Sequence, residues 1–268
     1  MVLPVFGTVE GMDAALPDDV RPRIEGLLAE LDRELPDVVS GLHVVGSIAL
    51  GDYHPGHSDI DLVIVTRHPL GPADVPVIDA VHQRERQAGG SPLQASYLTT
   101  SSLATNADPI VPSVSYLNGE TSYGTDFEVN PVTWRNLVRH AVAVRGTPTS
   151  VWMRDPDDAE LAAFCRRNLD EYWLPLVDKV LAEPRSVEAR MLEWLGLGPA
   201  RLAHTIETGE IISKTEAGER MLAAASEAER PAFETALAVR RGEIDPAAVL
   251  DYQPIADIAT ATRRVIPG

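Results

Sequence analysis

Gly46-Ser47-Ile48-Ala49-Leu50-Gly51-Asp52, followed after a short turn by Ser58-Asp59-Ile60-Asp61-Leu62-Val63-Ile64-Val65, is the stretch that decides how this chain reads. The runs on either side of the turn, Leu42-His43-Val44-Val45 and the segment from Ile60 to Thr66, have the apolar, β-branched character of buried strands. Successive strand residues alternate faces, so Asp59 and Asp61 present neighbouring carboxylates to one side while Ile60 and Leu62 pack to the other. Two such charges about 4 Å apart repel by roughly 4 kcal/mol at an effective dielectric of 20, and a divalent cation between them removes that cost. Mg²⁺ suits the pair best, because it takes hard oxygen ligands and is commonly held by one or two carboxylates plus substrate phosphates. Gly46 lets a phosphate approach the backbone, and a short helix from Ile48 to Tyr53 would offer unpaired N–H groups to an anion. Ser47 and Ser58 add hydroxyls. Taken singly, Gly-Ser is an ordinary turn and Asp-x-Asp an ordinary strand start. Their conjunction between two apolar strands points to metal-assisted phosphoryl chemistry.

The constellation Gly46-Ser47, Gly51 and Ser58-Asp59-Ile60-Asp61-Leu62 resembles the signature of the nucleotidyltransferase superfamily related to DNA polymerase β. That resemblance implies that the Gly-Ser turn holds the nucleotide phosphates and that Asp59 and Asp61 bind Mg²⁺, two ions in all. It also implies a third carboxylate on a later strand.

At 268 residues the chain is long enough for one large or two modest domains, and two are expected, 1–148 and 149–268. The fold class is α+β: an N-terminal domain with a mixed β-sheet and flanking helices, followed by an all-α helical bundle. Apolar spacing at Ile24, Leu27, Leu28, Leu31 and Leu35 predicts a helix over 20–35, ended by Pro36. A second helix is expected near 77–88 and a third strand at 93–98, after the break at Gly89-Gly90. Residues 99–126 are polar and irregular, suited to a substrate-facing loop or hairpin or to a plain surface excursion. Asn130-Pro131 pairs a cap residue with proline at the first helical position and opens a helix to about His140. From there the pattern is helical over 157–169, 170–183, 186–209, 213–226, 229–241 and 245–251.

The net charge of −17 argues against a nucleic acid partner, since binding a polyanion begins with a basic surface. It favours a small cationic partner, and it also serves solubility. No membrane span is expected. The first residues, Met1 to Phe6, have neither the basic region nor the apolar core of a signal peptide, so a cytoplasmic protein is expected. The single cysteine, Cys165, reads as a buried packing residue. Trp134, Trp152, Trp173 and Trp194 fit either a core or a stacking surface for a base or sugar.

Ser213 and Glu216 form a capping-box pattern that places Lys214 in the first turn of a helix. A cation there opposes the helix dipole unless an anion lies nearby, and triphosphate is one such anion. Only two of the 23 basic residues are lysines, so Lys214 is not a product of general composition. Its compact ammonium suits phosphate as a point charge. The alternative is a surface pair with Glu216 or Glu210.

The run Arg201…Thr208-Gly209-Glu210-Ile211…Ser213-Lys214…Ala217 is similar to the C-terminal helical domain of the aminoglycoside 3″-adenylyltransferases, the streptomycin/spectinomycin resistance enzymes. The resemblance implies ATP as substrate, Arg201 and Lys214 as phosphate contacts, and an aminoglycoside-type acceptor. It also implies a glutamate that deprotonates the acceptor hydroxyl, but its place is occupied here by Gln94, within Leu93-Gln94-Ala95. A carboxamide is not a base at neutral pH. Either another carboxylate (Glu85, Glu120, Asp126 or Glu128) takes that role, or the chain is a nucleotide-binding protein with weak or lost transferase activity, or it adenylylates a different metabolite or protein. The family's drug-binding Trp and Asp have no counterpart in Val187-Glu188-Ala189-Arg190-Met191-Leu192.

Overall fold

The computed structural model describes residues 16–104, 113–124 and 129–266. The first part of the chain contributes α1 (Arg21–Glu34), β1 (Val39–Val45), α2 (Gly46–Ala49), β2 (Ile60–Thr66), α3 (Val75–Gln87), β3 (Leu93–Thr99) and α4 (Thr100–Ala104). A hairpin of β4 (Ser113–Leu117) and β5 (Glu120–Gly124) follows, then α5 (Pro131–Arg139) and β6 (Val142–Arg145). The remainder is α6 (Asp158–Asn168), α7 (Leu174–Ala182), β7 (Val187–Glu188), α8 (Arg190–Thr208), α9 (Lys214–Ala224), α10 (Arg230–Arg240), β8 (Val249–Leu250) and α11 (Tyr252–Val265).

Six strands form one sheet in the order β5-β4-β3-β2-β1-β6. β2 and β3 run parallel across the α3 connection and every other pairing is antiparallel, so the sheet is mixed as expected. Strand alternation sorts its two faces. Leu42 and Val44 of β1, Ile60, Leu62 and Ile64 of β2, and Leu93, Ala95 and Tyr97 of β3 pack against Ile24, Leu27 and Leu31 of α1 and Ile78 and Val81 of α3. Val45, Val63, Val65 and Leu98 face the other way, against Trp134 and Leu137 of α5. Asp61 belongs to this second face, which it shares with Val63 and Val65.

Helix-on-helix packing buries the apolar stripes of the C-terminal half, with Val177 of α7, Leu192 and Leu195 of α8, Phe233 of α10 and Ile255 and Ile258 of α11 in one core. α8 runs through Pro199, which cannot donate to the Leu195 carbonyl as an ordinary residue there would. The Thr262 hydroxyl of α11 donates to that carbonyl instead, at 2.9 Å, which accounts for an uninterrupted helix with proline inside it.

Several boundaries differ from the sequence reading. The helix expected over 186–209 begins at Arg190, because Val187 and Glu188 form β7 and pair with Val249 and Leu250 of β8. The segment 245–251 is therefore not a helix, and the C-terminal half carries this two-stranded ribbon beside its helices. The last helix is α11, whose Pro254 lies in the first turn, where a missing N–H costs nothing. β6 is a four-residue, half-buried edge strand too short to show alternation. The irregular segment after 99 contains α4 and the β4–β5 hairpin.

Candidate active site

β2 places Asp61 opposite Val45 on one neighbour and Gln94 on the other, so one row crosses the sheet from the end of β1 through Asp61 to Gln94. Asp59 precedes the strand by one residue. The Gln94 amide donates to Asp59 Oδ2 at 3.2 Å, which puts Gln94 beside the aspartate pair where the sequence reading placed it. β1 ends at Val45, and the chain turns through Gly46 at φ 65° into α2. That helix has four residues, starts at Gly46 and stops at Ala49, so the expected helix over 48–53 is shorter and earlier; it supplies turn N–H groups rather than a sustained dipole. A Cβ on residue 46 would lie 2.0 Å from Asp61 Oδ2, so only glycine lets the carboxylate lie against the turn.

Gly46, Ser47, Ser58, Asp59, Asp61, Gln94, Arg201 and Lys214 all line one cleft of about 460 Å³. The Ser47 hydroxyl is buried in it and has no hydrogen-bond partner among the described residues. Ser58 is committed locally, accepting from the His54 N–H at 3.0 Å. Burial pushes the Asp59 carboxyl above its ordinary value; Lys214 and Arg240 draw it down while Glu193 pushes it up. This is the electrostatic signature of a carboxylate that gains by meeting a cation. The donor set fits a hard divalent ion. Two carboxylates stand on adjacent same-face positions, and among the described residues no group of three or more His, Cys, Asp or Glu closes a cage around them. Substrate oxygens and water would supply the remaining ligands.

Across the cleft, Arg201 donates through Nε to the Ile212 carbonyl at 3.0 Å, which orients its guanidinium. Ser213 caps α9 by accepting from the Glu216 N–H at 3.1 Å, while the Glu216 carboxylate takes Arg220 instead of completing the box. Lys214 pairs with neither Glu216 nor Glu210. Its ammonium lies 3.0 Å from Glu193 of α8 and 5.6 Å from the centre of the Trp194 ring. Glu193 follows by one position the segment 187–192, in which the family's drug-binding Trp and Asp have no counterpart.

Of the four tryptophans, Trp173 and Trp194 line the cleft, with ring centres 5.1 Å apart, whereas Trp134 is buried in the core beneath α5. Trp173 ends a π-helical turn, Leu169–Trp173, that widens the helix next to the site. Cys165 is buried and its thiol is pushed up to about 12, consistent with packing alone.

Of the four carboxylates considered beside Gln94, Glu85 is spent on Arg23 on the α1–α3 face of the sheet. Asp126 and Glu128 lie outside the described residues. Glu120 lines a groove of about 270 Å³ that shares Asp61 and Gln94 with the main cleft.

The sequence reading missed Asp52, Thr215 and Arg240. Asp52 is a buried carboxylate that accepts from Arg240 at 3.0 Å and from the Thr215 hydroxyl. Burial alone would raise it, but the Thr215 hydrogen bond and the Arg240 charge together hold it below the ordinary carboxylate value. Its only local signal is an acidic residue three positions after a helical turn. Arg240 carries no motif at all.

Residues 24–88 match the nucleotidyltransferase domain family. Comparison of the sequence with curated proteins finds no match. Among solved structures, the chain matches the spectinomycin adenyltransferase AAD(9) from Enterococcus faecialis, determined with ATP and spectinomycin, with a TM-score of 0.70. The match covers 91% of this chain and 98% of the other at 14% identity, a likeness of fold. Residues 24–88, which contain the Gly46-Ser47 turn and the Asp59-x-Asp61 pair, thus match the nucleotidyltransferase domain family, within a chain that shares its fold with a spectinomycin adenyltransferase.

Proposed function

We propose that the chain is an adenylyltransferase that moves AMP from ATP to a hydroxyl of a small cationic acceptor of the aminoglycoside type, releasing pyrophosphate. The observation that carries this reading is the single cleft in which Gly46, Ser47, Asp59 and Asp61 from the sheet meet Arg201 and Lys214 from the helices. In the reaction, a bond forms between the acceptor oxygen and the α-phosphorus, the bond from phosphorus to pyrophosphate breaks, and the proton of the acceptor hydroxyl passes to solvent. Asp59 and Asp61 would hold Mg²⁺, which supplies charge neutralisation on the phosphate oxygens when bound. Gly46 and Ser47 receive a phosphate from the sheet side, the hydroxyl of Ser47 being already desolvated and without a partner among the described residues. Arg201 and Lys214 face it from the helical side and oppose the charge that builds on the leaving pyrophosphate. Gln94 holds Asp59 through its amide and is not a proton acceptor. An acceptor carrying amino groups fits the acidic charge balance, and the fold shared with a protein that binds ATP and spectinomycin supports the same reading.

The proposal includes a division into domains at 148/149, with the cleft between them, and a cytoplasmic setting. In support of the latter, no described helix is long and apolar enough to cross a membrane. The net charge of −17 speaks against a nucleic acid acceptor.

Gln94 supports one further reading, a nucleotide-binding protein with weak or no transfer. Both readings meet one experiment: ATP–Mg²⁺ binding by calorimetry beside turnover on a panel of aminoglycosides and aminocyclitols, with wild type and Asp59→Asn. Transfer in wild type, reduced 100-fold or more in Asp59→Asn, is expected. Transfer undisturbed by that change refutes the metal assignment, and binding without transfer on any acceptor leaves the binding protein.

A further inference from the structure

We propose that Asp52 is a positioning residue for the nucleotide: it ties the Gly46–Ser47 turn to the start of α9, and so fixes the place of Lys214 opposite that turn. This rests on the nucleotide reading given above. The Asp52 N–H donates to the Ser47 carbonyl at 2.8 Å, which makes Asp52 the backbone lock of the turn. Its side chain, 8% exposed, reaches the other way. One carboxylate oxygen takes the Thr215 hydroxyl, and the other takes the Thr215 N–H at 3.3 Å. Thr215 is the second residue of α9, one of the positions whose N–H has no partner inside the helix. The residue before it is Lys214.

A second path runs through charge. Arg240, its side chain 4% exposed, donates to Asp52 Oδ2 through Nε at 3.2 Å and Nη2 at 3.0 Å, and through Nη2 also to the Asp52 carbonyl. The same guanidinium lies 3.7 Å from Glu193, which holds the Lys214 ammonium at 3.0 Å. His54 completes the surroundings, 3.2 Å from Asp52 Oδ1. Lys214 is thus referred to the Gly-Ser turn twice, once through the backbone of α9 and once through Arg240 and Glu193, and Asp52 is the residue common to both paths. A buried ion pair is not needed for stability as such, since apolar pairs of similar volume commonly serve as well. What an apolar pair does not supply is the directional bond to Thr215.

The test separates positioning from folding. ATP–Mg²⁺ affinity and melting temperature would be measured for wild type, Asp52→Asn, the double variant Asp52→Leu/Arg240→Met, and Thr262→Val as a control destabilised far from the cleft. Asp52→Asn is expected to raise the ATP Kd about tenfold or more and to lower the melting temperature. The double variant is expected to recover the melting temperature but not the affinity, while Thr262→Val loses melting temperature and keeps it. A wild-type Kd in folded Asp52→Asn overturns the proposal, and so does recovery of both quantities in the double variant. A wild type that binds neither ATP–Mg²⁺ nor inorganic tripolyphosphate overturns this proposal together with the nucleotide reading. One that binds ATP without transferring it sinks the transferase reading alone and leaves this test intact.

Discussion

Replacing Gly46 with alanine separates backbone strain from site geometry, because Gly51 provides a matched control. Gly46 sits at φ 65° and Gly51 at φ 67°, so alanine at either position meets the same left-handed backbone penalty, about 1–2 kcal/mol. Nothing lies within 4 Å of a Cβ on Gly51, whereas a Cβ on Gly46 meets Asp61 Oδ2 at 2.0 Å. Ordinary contact starts at 3.4 Å, so the Asp61 carboxylate must retreat by the difference, about 1.4 Å. A misplacement of about 1 Å in a reacting constellation costs on the order of 100-fold, or about 2.7 kcal/mol in the transition state. Both variants are therefore expected to lose about 1–2 kcal/mol in urea unfolding, a shift of a few degrees in melting temperature. Only Gly46→Ala is expected to lose Mg²⁺-dependent ATP binding and turnover, by about 100-fold. Equal functional losses in the two variants would refute the reasoning, since strain alone would then explain them. So would a Gly46→Ala protein with wild-type function.

Gln94→Glu brings a third carboxylate to the 3.2 Å contact that the amide now makes with Asp59, where two like charges repel by roughly 5 kcal/mol at an effective dielectric of 20. Its melting temperature should fall without Mg²⁺ and recover when Mg²⁺ is added, a dependence wild type shows less; a melting curve insensitive to the ion refutes the shared site. Thr262→Val should cost about 1–3 kcal/mol in chemical denaturation by stranding the Leu195 carbonyl, and much less in a Pro199→Ala background, where an N–H is restored to it. His43 and His82 are buried and pushed down to about 4 and about 3. The unfolded chain takes up protons near 6.5 and the folded chain does not, so their contribution is complete above that value and is lost as pH falls from 6.5 toward 4. By pH 5 the loss amounts to about 2 kcal/mol for each. Urea midpoints against pH should flatten over that window in His82→Gln, and an unchanged slope contradicts the assignment.

What the sequence made legible follows from how local each feature is. β2 could be read because its own alternation sets Asp59 and Asp61 on one face, whereas Gln94 was placed by the family resemblance, and the pairing of β3 with β2 sets it opposite Asp61. Lys214 was placed by its cap residue, but its partner was not: Glu193 lies 21 residues away on another helix, beyond any spacing rule. α11 went unassigned because the helical pattern was followed only to 251, although Pro254 in its first turn interrupts no hydrogen bond. The segment 245–251 misled because two ribbon residues bonding to Val187 and Glu188 have no signature of their own. Asp52 and Arg240 are 188 residues apart, and only the folded chain brings them together.

That separation has a consequence for synthesis of the chain. The turn at Gly46 and the aspartates at 59 and 61 leave the ribosome early, and their strands can pair as soon as β3 emerges. Asp52 must then wait through nearly all of the remaining translation before Arg240 arrives to neutralise it. A carboxylate kept in a dry site without its partner is costly, on the scale of the 3–5 kcal/mol lost when one member of a buried pair is removed. On that scale the turn is expected to stay open to water until α10 is made. A half-made chain would hold Asp59 and Asp61 without Arg201 and Lys214 across the cleft, so the proposed nucleotide site would be complete only when the protein nearly is.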